Sequence, residues 1–262
     1  MNLKKEQEQE NGGIVYVVGT GPGSREEMSF KARKALQESS VIVGYSLYLD
    51  LIEDLLEGKE VIRSTMRKEI PRCQSALDEA RRGKKVALVS GGDPGVYGMA
   101  GILLQMLEKV TREVGGKDAE KIEVEIVAGI TSASAAAASL GAPLMHDFVV
   151  ISLSDLLTPW DKIEQRLRAA AEGDFVVVLY NPRSKKRQKH LERAREILLA
   201  SREKHTPVGI VRNASRQEES KEITTLEELL GHHVDMTTTL IIGNSTTYRW
   251  RDKIITPRGY GV

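Results

Sequence analysis

The sequence has little cysteine and few aromatic residues. Its 262 residues include a single cysteine, Cys73, and aromatic residues make up 5% of the chain. One cysteine cannot close a disulfide within the chain, and no Cys/His cluster has the spacing of a structural zinc site. We therefore expect a protein of the reducing cytoplasm that contributes no metal ligands.

The sequence also has almost no net charge, because 38 Lys and Arg residues nearly balance 37 Asp and Glu residues. Such a chain has no long-range field that would gather nucleic acid or an anionic membrane surface. The apolar runs, such as FVVVLY, have the length of strands and are too short to cross a bilayer. The composition therefore predicts neither a nucleic-acid partner nor a membrane partner.

The order of apolar runs and turn residues predicts two α/β domains behind a polar tail. Residues 1–12 carry charge without an apolar segment, which predicts a disordered tail rather than a signal peptide. In residues 13–144, short β-branched runs alternate with helical patterns, as in βαβ units with a parallel sheet. In residues 145–262, the last strands are joined by turns too short for a crossover helix, so this sheet should be mixed.

Glycine-rich segments follow two predicted strands of the first domain, where ligands bind in open α/β sheets. In VGTGPGS, Pro22 removes a backbone amide that a dinucleotide pyrophosphate would need. VSGGDPG, with Gly91, Gly92 and Asp93, lacks the Lys-Ser/Thr pair of a Walker loop, and its carboxylate would repel phosphate. The segment suits a ligand with cationic or hydroxyl groups and a flat apolar body. The alternative is that Asp93 caps a helix beginning at Pro94.

A further strand end, AGITSASAAAASLG, places Thr131 and Ser132 at the start of an alanine-rich helix. Small residues let such a helix pack closely on a sheet. The two hydroxyls either cap the helix or bind a ligand, and the sequence leaves both roles open.

Four motifs follow one another between about Ile14 and Tyr260. They are VGTGPGS, SGGDPGVYGMA, AGITSA and the terminal IIGNST. In this order they resemble the tetrapyrrole methylase family, whose members transfer a methyl group from S-adenosylmethionine. Three further segments are similar to those of the enzymes in the ring-contracting branch of cobalamin biosynthesis. They are SLSDLLTPW, LYNPRSKKR and GYSLYLDLI. One departure is that Ser24 and Arg25 follow the first loop, where many members continue with Asp-Pro.

The resemblance implies two α/β domains with the active site in the cleft between them, S-adenosyl-L-methionine as the cofactor, and a homodimer. The branch implies methylation at carbon 17 of precorrin-3B or cobalt-factor III, with ring contraction. At matching positions, the cofactor-binding residues would be Pro22, Gly91, Gly92, Asp93, Thr131, Ser132, Tyr180, Asn181, Asn213, Ala214, Thr238 and Thr239.

The implied acceptor is a macrocycle fringed with carboxylates, which arginine binds well because its guanidinium makes paired hydrogen bonds. We predict substrate binding by Ser152, Ser154, Arg183 and Arg187. The competing interpretation is that the basic segment around the two arginines is a solvated helix face.

Methyl transfer from a sulfonium depends mainly on orientation, which can supply roughly 7–11 kcal/mol of barrier reduction. Ring contraction also needs proton movement, for which Asp155, His146 and Tyr97 are candidate catalytic residues. Histidine is the residue type among them whose ordinary pKa lies nearest neutrality, but the linker position of His146 favours a structural histidine with a satisfied hydrogen bond. Asp155 equally fits a helix cap.

Other functions stay open at this point. They are another precorrin C-methyltransferase of the same pathway, an RNA ribose methyltransferase of the same fold, and a non-enzymatic corrinoid sensor. The balanced charge and scarce aromatic residues argue against RNA.

Overall fold

The computed structural model describes residues 12–114, 122–184 and 187–261. The predicted disordered tail lies outside the described residues, apart from Gly12. The chain divides into two compact units, Met1–Thr131 and Ser132–Val262. This division falls earlier than the boundary predicted at residue 144, because the alanine-rich helix packs its small side chains on the second sheet.

A five-stranded sheet forms the centre of the first unit. Its strands are β1 (Ile14–Gly19), β2 (Val41–Tyr45), β3 (Glu60–Ser64), β4 (Lys85–Ser90) and β5 (Glu123–Val127). They lie in the order β3-β2-β4-β1-β5, and all the pairs are parallel. Strands covered on both faces read as continuous Val/Ile/Leu runs, which is why the sequence predicts this sheet.

Helices cover the first sheet and bury an apolar cluster on each of its faces. They are α1 (Phe30–Glu38), α2 (Ser46–Asp50), α3 (Glu69–Arg81) and α4 (Ala100–Val114), with a 3-10 turn at Glu53–Leu55. The side chain of Ser29 accepts a hydrogen bond from the amide of Ala32 and so starts α1. The segment YSLYLDLIEDLLEG has a helical pattern in the sequence, but it forms the short α2 followed by the 3-10 turn rather than one long helix.

The second unit carries a larger and a smaller sheet. Its strands are β6 (Gly141–Ala142), β7 (Phe148–Ser152), β8 (Val176–Tyr180), β9 (Pro207–Arg212), β10 (Ser220–Thr225), β11 (Thr238–Ile242), β12 (Tyr248–Trp250) and β13 (Lys253–Ile255). The larger sheet has the order β10-β9-β11-β8-β7, in which only β7 and β8 are parallel. The smaller sheet has the order β12-β13-β6.

The helices of the second unit pack on opposite faces of the larger sheet. They are α5 (Ser132–Leu140), α6 (Trp160–Glu172) and α7 (Lys189–Leu199), with a 3-10 turn at Leu229–Gly231. Helix α5 approaches closely, because a Cβ atom at Gly209 would lie 2.2 Å from the Leu140 side chain. The predicted class, a parallel first sheet and a mixed second sheet, is confirmed. No helix in the described ranges is both long and apolar enough to cross a bilayer.

Candidate functional site

Three loops follow β1, β4 and β5, which are neighbours in the first sheet. We call residues 19–23, 91–95 and 128–131 the glycine loops. The amide of Gly21 donates to the carbonyl of Gly92 at 3.2 Å, and the amide of Gly92 donates back to Gly21 at 2.7 Å. Both glycines have a positive φ, 78° and 68°, in the region that costs other residues steric strain. The first two loops are therefore joined backbone to backbone.

The third glycine loop lies directly against the other two. A Cβ atom on Gly129 would lie 2.1 Å from the carbonyl oxygen of Gly92 and 2.8 Å from that of Gly19. Any side chain at this position would force the loops apart. Glycine is needed here for close approach of backbones, which is the arrangement that also lets a backbone approach a ligand.

Asp93 fastens the glycine loops together. One carboxylate oxygen accepts from the amide of Gly95 at 2.7 Å, and the other accepts from the amide of Gly129 at 3.0 Å. Helix α4 begins only at Ala100, so the alternative that Asp93 caps a helix starting at Pro94 is wrong. Each carboxylate oxygen keeps a further acceptor position.

Tyr48 borders the second glycine loop, and next to it lie a second tyrosine and a buried arginine. A Cβ atom at Gly91 would lie 2.7 Å from the ring of Tyr48, whose centroid is 5.3 Å from that of Tyr45. The guanidinium of Arg72 lies 5.8 Å from the Tyr45 centroid and donates to Ser64 Oγ at 2.7 Å. The segment GYSLYLDLI contributed to the family resemblance, but residue patterns gave no signal for Arg72.

The remaining candidates in the first unit differ in exposure. Pro22 is buried in the first glycine loop. Tyr97 has a positive φ of 54°, and its side chain is 60% exposed. Such a backbone conformation is uncommon for a tyrosine and occurs often near functional sites. Thr131 directly precedes α5, as the sequence predicts.

The predicted residues of the second unit gather along one edge of the larger sheet. Strand β11 runs antiparallel to β8 and β9, so its start lies beside their ends, with Leu240 opposite Leu179 and Thr238 opposite Arg212. Strand β7 is parallel to β8 and ends at the same edge. The residues that this topology brings to that edge are Ser152, Ser154, Tyr180, Asn181, Asn213, Ala214, Thr238 and Thr239.

Asn181 and Asn213 turn the chain at the ends of β8 and β9. Their φ angles are 50° and 51°, in the left-handed region where asparagine is enriched. The Asn181 side-chain amide donates to Ser152 Oγ at 2.9 Å. The Tyr180 hydroxyl accepts from the amide of Ala133 at 2.7 Å, which ties the end of β8 to the start of α5 beside Ser132.

The start of β11 is fixed by a carboxylate. Thr238, which is buried, donates its hydroxyl to Asp235 at 2.9 Å. Burial alone would raise the pKa of Asp235, but hydrogen bonds from Thr237 and Thr238 and the charge of His233 outweigh burial and lower that pKa.

The two predicted substrate arginines have different surroundings. Arg187 is 8% exposed and donates to the carbonyl oxygens of Leu153 at 2.9 Å and Asn181 at 3.2 Å. It thereby holds the loops after β7 and β8. Arg183 is half-buried and forms no hydrogen bond or ion pair with the residues that the structure describes. Its guanidinium is thus available for an added carboxylate.

Asp155 has a partner that sequence reasoning did not identify. Its carboxylate lies 3.1 Å from Nε2 of His190, at the start of α7. Helix α6 begins at Trp160 with Pro159 in the cap position, so the alternative of Asp155 as its helix cap is wrong. No spacing rule links positions 155 and 190, because they meet only when α7 packs against the loop after β7.

His146 lies away from this group. It lies two residues before the start of β7, so it lies at the edge of the sheet opposite to Ser152. There it lines a pocket of about 460 Å³ with Asp147, Asp174 and Arg258. The structure therefore does not bring His146 together with Asp155. Nowhere in the described chain do three or more His, Cys, Asp or Glu residues form a group that could hold a metal ion.

Comparisons with known proteins identify a family and relatives that match most of this chain. The family model of tetrapyrrole (corrin/porphyrin) methylases matches residues 14–230. The chain is 49% identical over 247 residues to the probable cobalt-factor III C(17)-methyltransferase of Salmonella typhimurium, with 94% of this chain and 99% of that protein covered.

Solved structures share the fold. The crystal structure of the methyltransferase CobJ matches with a TM-score of 0.85 and 38% identity, and the match covers 94% of this chain and 100% of that one. Uroporphyrin-III C-methyl transferase from Thermus thermophilus, complexed with S-adenyl homocysteine, matches with a TM-score of 0.67 and 26% identity, covering 88% and 97% of the two chains.

Proposed function

The chain belongs to the tetrapyrrole (corrin/porphyrin) methylase family, and we propose that it methylates carbon 17 of cobalt-factor III or precorrin-3B with ring contraction, in cobalamin biosynthesis. It is a methyltransferase. The observation that carries the proposed substrate is the 49% identity to a cobalt-factor III C(17)-methyltransferase over nearly the whole of both chains.

The proposed cofactor is S-adenosyl-L-methionine, and the glycine loops fit it. At Gly129 the third glycine loop packs against the backbone of Gly92 and Gly19, so the three loops form one compact backbone surface for a ligand. Asp93 would repel phosphate, which this cofactor lacks, whereas the sulfonium and ammonium of the cofactor are cationic. Pro22, Gly91, Gly92 and Asp93 would bind it. When bound, the cofactor supplies an electrophilic methyl group.

Beyond the first two glycine loops, we also assign to the cofactor Thr131 of the third glycine loop, Ser132 at the start of α5, and the small and polar residues at the edge of the larger sheet. The edge residues are Tyr180, Asn181, Asn213, Ala214, Thr238 and Thr239. What supports the assignment is that Tyr180 binds the start of α5 and that two asparagines fix sharp turns after β8 and β9. Rigid loops orient a ligand at a low entropic cost.

For the macrocycle, Arg183 would bind a peripheral carboxylate, and Ser152 and Ser154 would bind beside it. Arg183 has the suitable charge and no competing partner among the described residues. Arg187 contributes by holding the backbone at Leu153 and Asn181 in place.

We also propose a homodimer in the cytoplasm with neither nucleic acid nor membrane as a partner. The homodimer follows from the family resemblance, and the location and partners follow from the single cysteine and the balanced charge. Sedimentation at several protein concentrations tests the dimer.

The experiment for the function is incubation of the purified protein with S-adenosylmethionine and either cobalt-factor III or precorrin-3B. We expect one of them to gain the mass of one methyl group and to change its absorbance spectrum. Methylation of only an earlier pathway intermediate would contradict the branch. Methyl incorporation into ribosomal RNA, or cofactor binding without any methylated tetrapyrrole, would favour the RNA enzyme or the sensor.

A further inference from the structure

Asp155 and His190 form an acid–histidine pair at the edge of the larger sheet, and methyl transfer does not require such a pair. Asp155 lies in the loop after β7, and His190 is the second residue of α7. Nε2 of His190 and a carboxylate oxygen of Asp155 are 3.1 Å apart. Methyl transfer from a sulfonium needs little acid–base help, so the pair invites another explanation.

The imidazole of His190 is held in a defined orientation. Its ring lies edge-on to Trp160, with centroids 4.3 Å apart and an interplanar angle of 70°. Trp160 is itself fixed, because its Nε1 donates to Glu164 at 2.9 Å. The hydrogen bond from Trp160 to Glu164 thus helps to fix the His190 ring, because Trp160 packs against that ring from the neighbouring helix α6.

This orientation selects one tautomer. A carboxylate accepts hydrogen bonds, so Nε2 of the neutral imidazole carries the proton and Nδ1 is left as the acceptor. Nδ1 has no hydrogen-bond partner among the residues that the structure describes. The side chain is 19% exposed, so a ligand can reach the ring.

The pair is connected to the predicted substrate residues. A second carboxylate oxygen of Asp155 lies 3.9 Å from Nε of Arg187. Arg187 in turn holds the carbonyl of Asn181, whose side chain donates to Ser152. Asp155 and His190 therefore belong to the same contact network as the residues assigned to the macrocycle.

We propose that His190 is the proton acceptor of the ring contraction and that Asp155 is its positioning residue; this inference rests on the proposed function. When a substrate O–H group attacks a macrocycle carbon that is double-bonded to a ring nitrogen, the O–H bond breaks, its electron pair forms the new O–C bond, and the π electrons of that carbon move onto the nitrogen. The proton forms a bond to Nδ1 of His190, Asp155 balances the charge of the imidazolium, and the proton then leaves to water. The step consumes no oxidant or reductant.

The test separates methyl transfer from ring contraction in the same reaction with cobalt-factor III or precorrin-3B. Mass spectra follow the gain of the methyl group, and absorbance spectra follow the contraction. We expect His190→Gln to bind S-adenosylmethionine and transfer the methyl group within about twofold of the wild type. Its ring contraction should slow by at least about 100-fold, as general-base removal does.

Two variants address the role of Asp155. Asp155→Asn should slow contraction by a smaller factor, because the imidazole is still present, and Asp155→Glu should recover part of the rate. The matched control is His232→Gln, since His232 also pairs with a carboxylate, 2.6 Å from Glu222, and has no contact with Asp155 or His190 among those that the structure describes. It should change neither step.

The outcomes distinguish the two proposals. If the wild type methylates neither tetrapyrrole, the proposed function fails. If the wild type contracts the ring and His190→Gln does so at the rate of His232→Gln, the proton acceptor is another group. Equal loss of cofactor binding, methyl transfer and contraction in His190→Gln would assign the pair a purely structural role and overturn the inference.

Discussion

The glycine loops of the first unit present backbone atoms, whereas the edge of the larger sheet in the second unit presents side chains that other side chains hold. In the first, Gly129 and Gly92 are close enough to exclude a Cβ atom. In the second, Arg187 bridges the carbonyls of Leu153 and Asn181. The glycine loops depend on the absence of side chains, whereas the edge of the larger sheet depends on side chains of a particular length and hydrogen-bonding geometry. The two regions should therefore respond differently to substitution.

The largest effect is expected from Gly129→Ala. The new Cβ atom would meet the carbonyl oxygen of Gly92, and neither backbone can yield without separating the loops. We expect a loss of about 3 kcal/mol in the free energy of unfolding, measured with urea. Affinity for S-adenosylmethionine, measured by calorimetry, should fall by at least about tenfold, the equivalent of 1.4 kcal/mol.

Gly101→Ala is the matched control for that substitution. Gly101 is exposed in α4, and a Cβ atom there would meet nothing within 4 Å. The change should leave affinity unaltered and stabilise the helix by up to about 1 kcal/mol. Equal behaviour of the two variants would show that the close approach at Gly129 has no importance for binding.

Substitution of Asp93 distinguishes two possible roles of its carboxylate, which are to hold the glycine loops together and to attract the cofactor directly. Asp93→Ala leaves the amides of Gly95 and Gly129 without their acceptor, which we expect to cost about 2 kcal/mol of stability. If fastening is the main role, affinity for S-adenosylmethionine and for S-adenosylhomocysteine, which lacks only the sulfonium charge, should fall by the same factor, with Asp93→Asn intermediate. A selective loss of the cationic ligand would instead indicate direct attraction by the carboxylate.

Features of the first unit were predictable from sequence because they depend on local chemistry. Parallel strands are encoded in β-branched runs, and the glycines after β1 and β4 mark loops that need unusual backbone angles. The mixed second sheet followed from the short connections between its last strands. The role of Asp93 was less predictable, because one of its partners is Gly129, which comes from another strand.

The side-chain network of the second unit was mostly beyond sequence reasoning. Arg187 and His190 lie in a basic segment whose pattern equally fits a solvated helix face. Their burial and partners come from packing of α7 against loops distant in sequence. The position of His146 depends on strand direction, which places it at the opposite edge from Ser152 although the two are close in sequence.

Substitutions of Arg187 and Arg183 distinguish a role in the side-chain network from a role in ligand binding. Arg187→Met would leave the carbonyls of Leu153 and Asn181 without their buried donor, and we expect a loss of about 2 kcal/mol in stability. Arg183→Met should leave stability within about 0.5 kcal/mol of the wild type, because Arg183 binds none of the described residues. Its KM for the macrocycle should instead rise by about tenfold, since a charged hydrogen bond is lost. A large drop in melting temperature for Arg183→Met would contradict this division of roles.

The smallest expected effect is a pH dependence at the start of β11. Because the pKa of Asp235 is lowered on folding, its ionised form stabilises the fold above its ordinary pKa, and that contribution is lost as the pH falls through the folded pKa. Asp235→Asn should therefore reduce stability at pH 7 and match the wild type more closely near pH 3. The difference should stay below about 1 kcal/mol, because the carboxylate is 37% exposed. Asp147→Asn, at a carboxylate 83% exposed, is the control variant and should change stability little at pH 7. A gap between Asp235→Asn and the wild type that persisted at pH 3 would mean that the hydrogen bonds to Thr237 and Thr238, rather than the charge, fix this end of the strand.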